Sequence, residues 1–190
     1  KFRAEMKKVC DFKVWLGWRN QYCGLFETKL SGVTFYFIDN EYYFARNGIY
    51  GHYDDGERFA YFSMAVLGAV KHMDFDPEVI HCHDWQTGLV PVFLKLFFAD
   101  EEKLANTKTV FTIHNIQYQG NYDMYFAGDV LGIPENRRGL VEYDGRCNFM
   151  KAGIDLCDAV STVSPTYAKE IQDPWFAWGL DRLKKKKKYK

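Results

Sequence analysis

The chain has 190 residues, 47% of them hydrophobic and 18% aromatic, enough to bury a real core in one domain, or in one domain and part of a second. Its 25 basic and 25 acidic residues balance, but Lys184–Lys188 and Lys190 supply six of the basic ones; the rest stands at 19 against 25, a net of −6 that repels phosphate backbones and argues against nucleic-acid binding. No run approaches the ~20 apolar residues of a membrane span, the N-terminus lacks the apolar segment of a signal peptide, and five cysteines without a Cys-x-x-Cys pair exclude a disulfide framework or zinc knuckle, as expected of reduced thiols in a cytoplasmic protein.

The chain opens without Met and in mid-pattern, as expected of a trimmed or incomplete sequence. Gln21–Lys29 and Val33–Ile38 read as strands, and Asp39-Asn40 stops the second with a turn. Residues 47–56, rich in Gly, Tyr, His and Asp, read as a loop. The spacing of Phe59, Phe62, Ala65, Val66, Ala69 and Val70 predicts a helix over Glu57–His72. The rhythm then changes. Val79–Cys82 is a short buried-type strand. Trp85–Phe98 is a helix with Asp84 as its N-cap, and Pro91 kinks it or marks a late start. Thr109–Ile113 is a β-branched strand and residues 117–136 are loop-rich. Asn148–Cys157 is helical and Ala159–Val163 a strand. Ser164-Pro165, an N-cap followed by Pro at the first helical position, starts a helix over Thr166–Ile171.

Short apolar strands alternating with helices imply crossovers and a parallel sheet, and in such α/β sheets ligands bind beyond the carboxyl ends of the strands. Three polar ends fall on that edge: His83-Asp84, His114-Asn115 and Ser161–Ser164. Strand alternation puts His81 and His83 on one side. With His114 they could form a metal-dependent hydrolase site, which would need further ligands and an open position for water; for His81 the simpler role is structural. Asn115 and the glutamines at 117 and 119 offer paired donors and acceptors of the kind sugar hydroxyls use, or an Asx turn at His114-Asn115. In Tyr53-Asp-Asp-Gly-Glu-Arg-Phe59, Asp55 could cap the next helix, whereas an Asp beside a sugar pocket could bind hydroxyls.

Four strings in order carry a resemblance: Tyr53–Phe59, His81-Cys-His-Asp-Trp-Gln-Thr-Gly-Leu-Val-Pro91, Val110-Phe-Thr-Ile-His-Asn-Ile-Gln-Tyr-Gln-Gly120 and Ser161-Thr-Val-Ser-Pro-Thr-Tyr-Ala-Lys-Glu-Ile171. Trp18–Tyr22 and Asn148–Gly153 fit as well. Over residues 14–182 the chain resembles bacterial glycogen synthases and plant starch synthases. The resemblance implies a Rossmann-like, doubly wound parallel sheet, part of the N-terminal, acceptor-side domain (residues 1–183) of a GT-B glycosyltransferase. A Lys-rich tail (184–190) follows, and the C-terminal nucleotide-sugar domain is absent. It implies transfer of glucose from ADP-glucose or UDP-glucose to the non-reducing end of an α-1,4-glucan, with retention of configuration. By motif position it gives catalytic roles to His83 and Asp54 and substrate binding to Asn115, Tyr118, Gln119 and Lys151, with no metal and no cofactor. The family's Lys-Thr-Gly-Gly-Leu loop has no counterpart, since the chain contains no Gly-Gly pair. The fragment is therefore expected to be inactive alone; the other readings are a non-catalytic glucan-binding half-domain and the metal-dependent hydrolase.

Overall fold

The computed structural model describes residues 5–181 and 183; the Lys-rich tail lies outside the described residues. It begins with an antiparallel meander of β1 (Lys7–Leu16), β2 (Arg19–Leu30) and β3 (Val33–Asp39). The register pairs Leu16 with Arg19 and Leu30 with Val33, so both hairpins turn on two residues. Ser31 and Gly32 have φ of 52° and 81°, the paired positive values that match the right-handed twist of the strands. Sequence reading had found β2 and β3 but not β1. There Phe12, Val14 and Leu16 alternate with charged or exposed residues, and Val14 and Leu16 are buried.

Asn40 is more than a turn residue. Its side chain accepts from the Tyr43 amide at 2.9 Å and caps the single-turn α1 (Glu41–Phe44). After the loop comes α2 (Asp55–Val70), which starts two residues before the expected boundary and packs against β1. Arg19 fastens the meander to the body. Its Nε lies 3.1 Å from a Glu57 carboxylate oxygen, and its terminal nitrogens donate to the Asp129 carboxylate and carbonyl at 3.0 and 2.9 Å. The Asp129 carboxyl titrates below its usual range because it accepts from Arg19 and from the Trp18 indole.

The second part is the parallel unit expected of the α/β alternation. β4 (Val79–His83), β5 (Lys108–Ile113) and β9 (Ala159–Thr162) form a parallel sheet with β5 in the middle. β5 is mostly buried, as a strand covered on both faces must be. α3 (Val90–Phe97) and α5 (Phe149–Leu156) pack together, and α3 also meets α2. Pro91 sits in the first turn of α3, so the helix starts late and is not kinked, and residues 85–87 form a separate 3-10 turn. The stretch read as loop-rich instead contains β6 (Asn121–Asp123) and α4 (Tyr125–Asp129). Together with β7 (Glu142–Tyr143), β8 (Arg146–Asn148) makes a small sheet in the order β6-β8-β7. Strands of two or three residues are too short for an alternating pattern to show. α6 (Pro165–Glu170) starts as expected, with Ser164 Oγ accepting from the Tyr167 amide at 3.1 Å.

All five cysteines are free thiols. Desolvation raises Cys23 to about 11 and Cys82 and Cys147 to about 12, which makes them packing groups, not nucleophiles. No helix among the described residues is long and apolar enough to cross a membrane.

Candidate active site

The carboxyl ends of β4 and β5 are stitched together by Asp84, whose role differs from the expected helix cap. Its side chain makes no cap hydrogen bond. Instead Oδ1 accepts from the His114 amide at 2.8 Å and the Asn115 amide at 3.2 Å, while its own N–H donates to the Thr112 carbonyl at 3.0 Å. A carboxylate reaching across to the next strand must leave the helix axis, and Asp84 takes φ of 55° to do so. Thr87 closes the turn from the other side. Its Oγ accepts from the His83 amide at 2.6 Å and donates to the His83 carbonyl at 2.8 Å. Both backbone polar groups of His83 are thereby satisfied locally, and its imidazole stands exposed at the strand end.

Asp84→Ala is therefore expected to lower stability by about 2 kcal/mol, since two amides lose a charged acceptor and the positive φ remains. Asp84→Gly, which relieves the backbone strain, should cost about 1 kcal/mol less. Urea midpoints measure both, and an unchanged midpoint for Asp84→Ala would discard the bracing role.

The histidines form a row. His81 and His83 rings lie 4.2 Å apart, and His83 Nδ1 is 3.0 Å from His114 Nε2. That contact is a hydrogen bond whose donor is set by the tautomers of the two rings. No group of three His, Cys, Asp or Glu among the described residues is arranged to hold a metal ion. His81 takes the structural role expected of it: its Nε2 is 2.6 Å from Thr112 Oγ, which lies 2.6 Å from Ser161 Oγ, so the row continues through the sheet to β9. Partial desolvation lowers the His83 pKa below its ordinary value, and the charges that His81 and His114 would carry push the same way. The shift favours the neutral imidazole, against the opposing pull of Asp84.

The loop after β5 holds the predicted amides. Asn115 and Tyr118 are exposed, and the Asn115 side chain accepts from the Gln117 amide at 3.0 Å, the Asx turn considered from the sequence. Gln119 is buried, and protein groups engage its amide. It donates to the carbonyls of Ile116 and Trp178 at 3.2 and 2.9 Å and accepts from Asn148 Nδ2 at 2.8 Å. Asn148 caps α5 by accepting from the Lys151 amide at 2.8 Å. The Lys151 ammonium is buried on the carbonyls of Gly139 and Leu140, at 2.9 and 3.1 Å, with Asp155 at 3.4 Å. Gln119 thus builds the wall behind Asn115 and Tyr118, and Lys151 joins it through the Asn148 cap while its ammonium holds residues 139–140. Beneath the wall Gly120, at φ of 64°, lies over Trp85, where a Cβ would come 2.5 Å from the indole.

Asp54 stands apart from this cluster. Its carboxylate is held by Arg46 at 2.8 Å at the start of α2. Asp55, the expected cap, instead accepts from the Gly51 amide at 2.8 Å and pairs with buried Arg58. The link to the strand ends is aromatic: Phe59 meets Trp85 edge-on at 5.1 Å. Arg46 and Thr87 are positioning residues with no signal in the sequence; Asp84 gave one, as a polar residue at a strand end, but its partners are the His114 and Asn115 amides and not a helix start.

A parallel α/β sheet whose polar strand ends carry an exposed histidine and an amide loop defines part of a Rossmann-like domain. The chain belongs to the starch synthase catalytic-domain family, whose model matches residues 1–186. It is 52% identical over 182 residues to the glycogen synthase of Desulfitobacterium hafniense and 50% identical over 190 residues to that of Clostridioides difficile, covering 94% and 97% of this chain. The chain spans 39% and 40% of those relatives. The catalytic domain of starch synthase IV from Arabidopsis thaliana, bound to ADP and acarbose, superimposes with a TM-score of 0.83 at 28% identity, covering 94% of this chain and 38% of that one.

Proposed function

We propose that the chain is the acceptor-side part of a retaining glucosyltransferase of glycogen or starch synthesis. The full enzyme moves glucose from ADP-glucose or UDP-glucose to the non-reducing end of an α-1,4-glucan in the cytoplasm. The observation that carries this reading is His83, braced by Thr87 at a strand end, next to His114 and an exposed amide loop whose start Asp84 holds, in a chain of the starch synthase family. Glycosyl transfer breaks the bond from the anomeric carbon to the diphosphate and develops oxocarbenium character at that carbon. A fixed, neutral imidazole and the His83 carbonyl supply dipoles there without the repulsion an imidazolium would add. Asn115 and Tyr118 contact sugar directly. Gln119 and Lys151 act through the wall they hold, and Asp54 acts on the sugar from the α2 side.

Leaving diphosphate needs cations, and Lys151 is already committed to two carbonyls and Asp155. The nucleotide-sugar domain that supplies them lies outside these 190 residues in this proposal, so the isolated chain does not turn over donor. The test is a hybrid in which residues 1–186 replace the matching stretch of the Desulfitobacterium hafniense glycogen synthase. The hybrid is expected to incorporate labelled glucose from ADP-glucose into glycogen within roughly tenfold of the parent rate. A folded hybrid with no incorporation refutes the proposal, and turnover by the isolated chain refutes the division of labour.

A further inference from the structure

An exposed aromatic cluster adjoins the amide loop, and the function described so far makes no use of it. Trp175, Phe176 and Trp178 are 85%, 52% and 58% exposed, and Tyr118 on the neighbouring loop is 62% exposed. Four large aromatic side chains left in water on two joined loops mark a contact site. Gln119 joins the two loops, because its buried amide donates to the carbonyls of both Ile116 and Trp178.

Trp178 is also strained. Its φ is 51°, a left-handed conformation that a bulky side chain rarely adopts. The fold holds it there from both sides: Gln119 grips the Trp178 carbonyl at 2.9 Å and the Tyr143 hydroxyl donates to the Gly179 carbonyl at 2.5 Å. Nothing in the backbone demands a tryptophan here. Glycine would satisfy the conformation at no steric cost. The arrangement holds an indole at the surface against a conformational cost, so its ring is the reason for the residue.

We propose that Trp178 is a stacking platform for an α-1,4-glucan chain, extending the acceptor side beyond Asn115 and Tyr118; this rests on the glucan reading above. A flat indole offers a face to the apolar C–H side of a pyranose, and the exposed amides of Asn115 and Gln117 lie on the loop that Gln119 ties to Trp178, with donors and acceptors for its rim of hydroxyls. The body's net charge of −6 without the terminal lysines fits a neutral ligand better than an anionic one.

The strain supplies its own control. Trp178→Gly removes the ring while relaxing the backbone, so the melting temperature should hold or rise. Isothermal titration of the 190-residue chain with maltoheptaose is expected to show saturable binding that weakens about tenfold in Trp178→Gly and stays within about threefold in Trp178→Tyr, which keeps a flat ring. Unchanged affinity in Trp178→Gly overturns the platform, as does equal loss in both variants or the absence of saturable binding in the parent chain. If instead Trp178→Gly abolishes self-association seen by sedimentation and leaves maltoheptaose binding intact, the cluster is a protein interface and the proposal fails. An inactive hybrid enzyme together with ring-dependent maltoheptaose binding would reject glucosyl transfer and keep the platform. An active hybrid indifferent to Trp178→Gly in acceptor KM would do the reverse.

Discussion

A Gly88→Ala chain is expected to lose about 3 kcal/mol of stability or more. Gly88 closes the turn between β4 and α3, and a Cβ there would collide with the Phe149 carbonyl oxygen and come 2.8 Å from its carbon. The obstacle is backbone, so no rotamer change relieves it; the first turn of α5 must move. That turn is itself fixed, because the Phe149 and Met150 amides donate to the carbonyls of Gly120 and Gln119 at 3.1 and 3.0 Å. Displacing it disturbs the wall behind Asn115 and Tyr118 as well as the core. Gly153→Ala meets the buried Phe111 ring at 2.6 Å, a side chain that can tilt, and should cost less despite the better helix propensity of alanine. Gly139, with nothing within 4 Å of its Cβ position, is the control: Gly139→Ala should be neutral or slightly stabilising. Urea unfolding of the three variants gives the ranking. A Gly88→Ala midpoint equal to that of Gly139→Ala would show that the turn yields freely.

The same turn shows what a sequence reveals and what it hides. The parallel unit was legible because β4, β5 and β9 are short apolar runs ending in polar residues, although only the central β5 is buried along most of its length; in β4, expected to be of the buried type, Cys82 alone is buried, because that strand pairs on one side only. His83 and the 114–119 loop followed from the rule about carboxyl ends. Asp84 did not: an Asp before a helical stretch reads as a cap, and only the three-dimensional closeness of the β5 end turned its carboxylate toward His114. Gln119 and Lys151 have the composition of ligand groups, yet local pairing sets their use, and pairing with Trp178 or Gly139 spans 59 and 12 positions. The small β6-β8-β7 sheet was hidden for a different reason: its strands are stabilised by neighbours, with too few residues to carry a pattern. β1, by contrast, alternates clearly enough to have been read.

His83→Ala, placed in the hybrid enzyme, is expected to lower kcat by about 10²–10³ with little change in the KM for glycogen, the cost of losing one preorganised dipole at the reacting centre. Folding should survive, since the groups that hold this residue are its backbone N–H and carbonyl, both bonded to Thr87. The pH dependence gives an independent readout. The His83 pKa is depressed in the folded chain by desolvation and by its neighbours His81 and His114, so the neutral form persists below the ordinary value of 6.5. On lowering the pH, the unfolded chain takes up this proton first. The native state loses stability as pH falls through 6.5 toward the depressed folded value, and the loss levels off below it. Activity should accordingly hold flat through pH 6.5 and fall only below it. His114→Asn removes one of the charges that hold His83 down and should move the acid limb of the rate profile upward. His83→Asn should shrink the loss of melting temperature between pH 7.5 and 5.5. An acid limb that stays in place in His114→Asn would separate His83 from the rate profile and leave its role to the carbonyl alone.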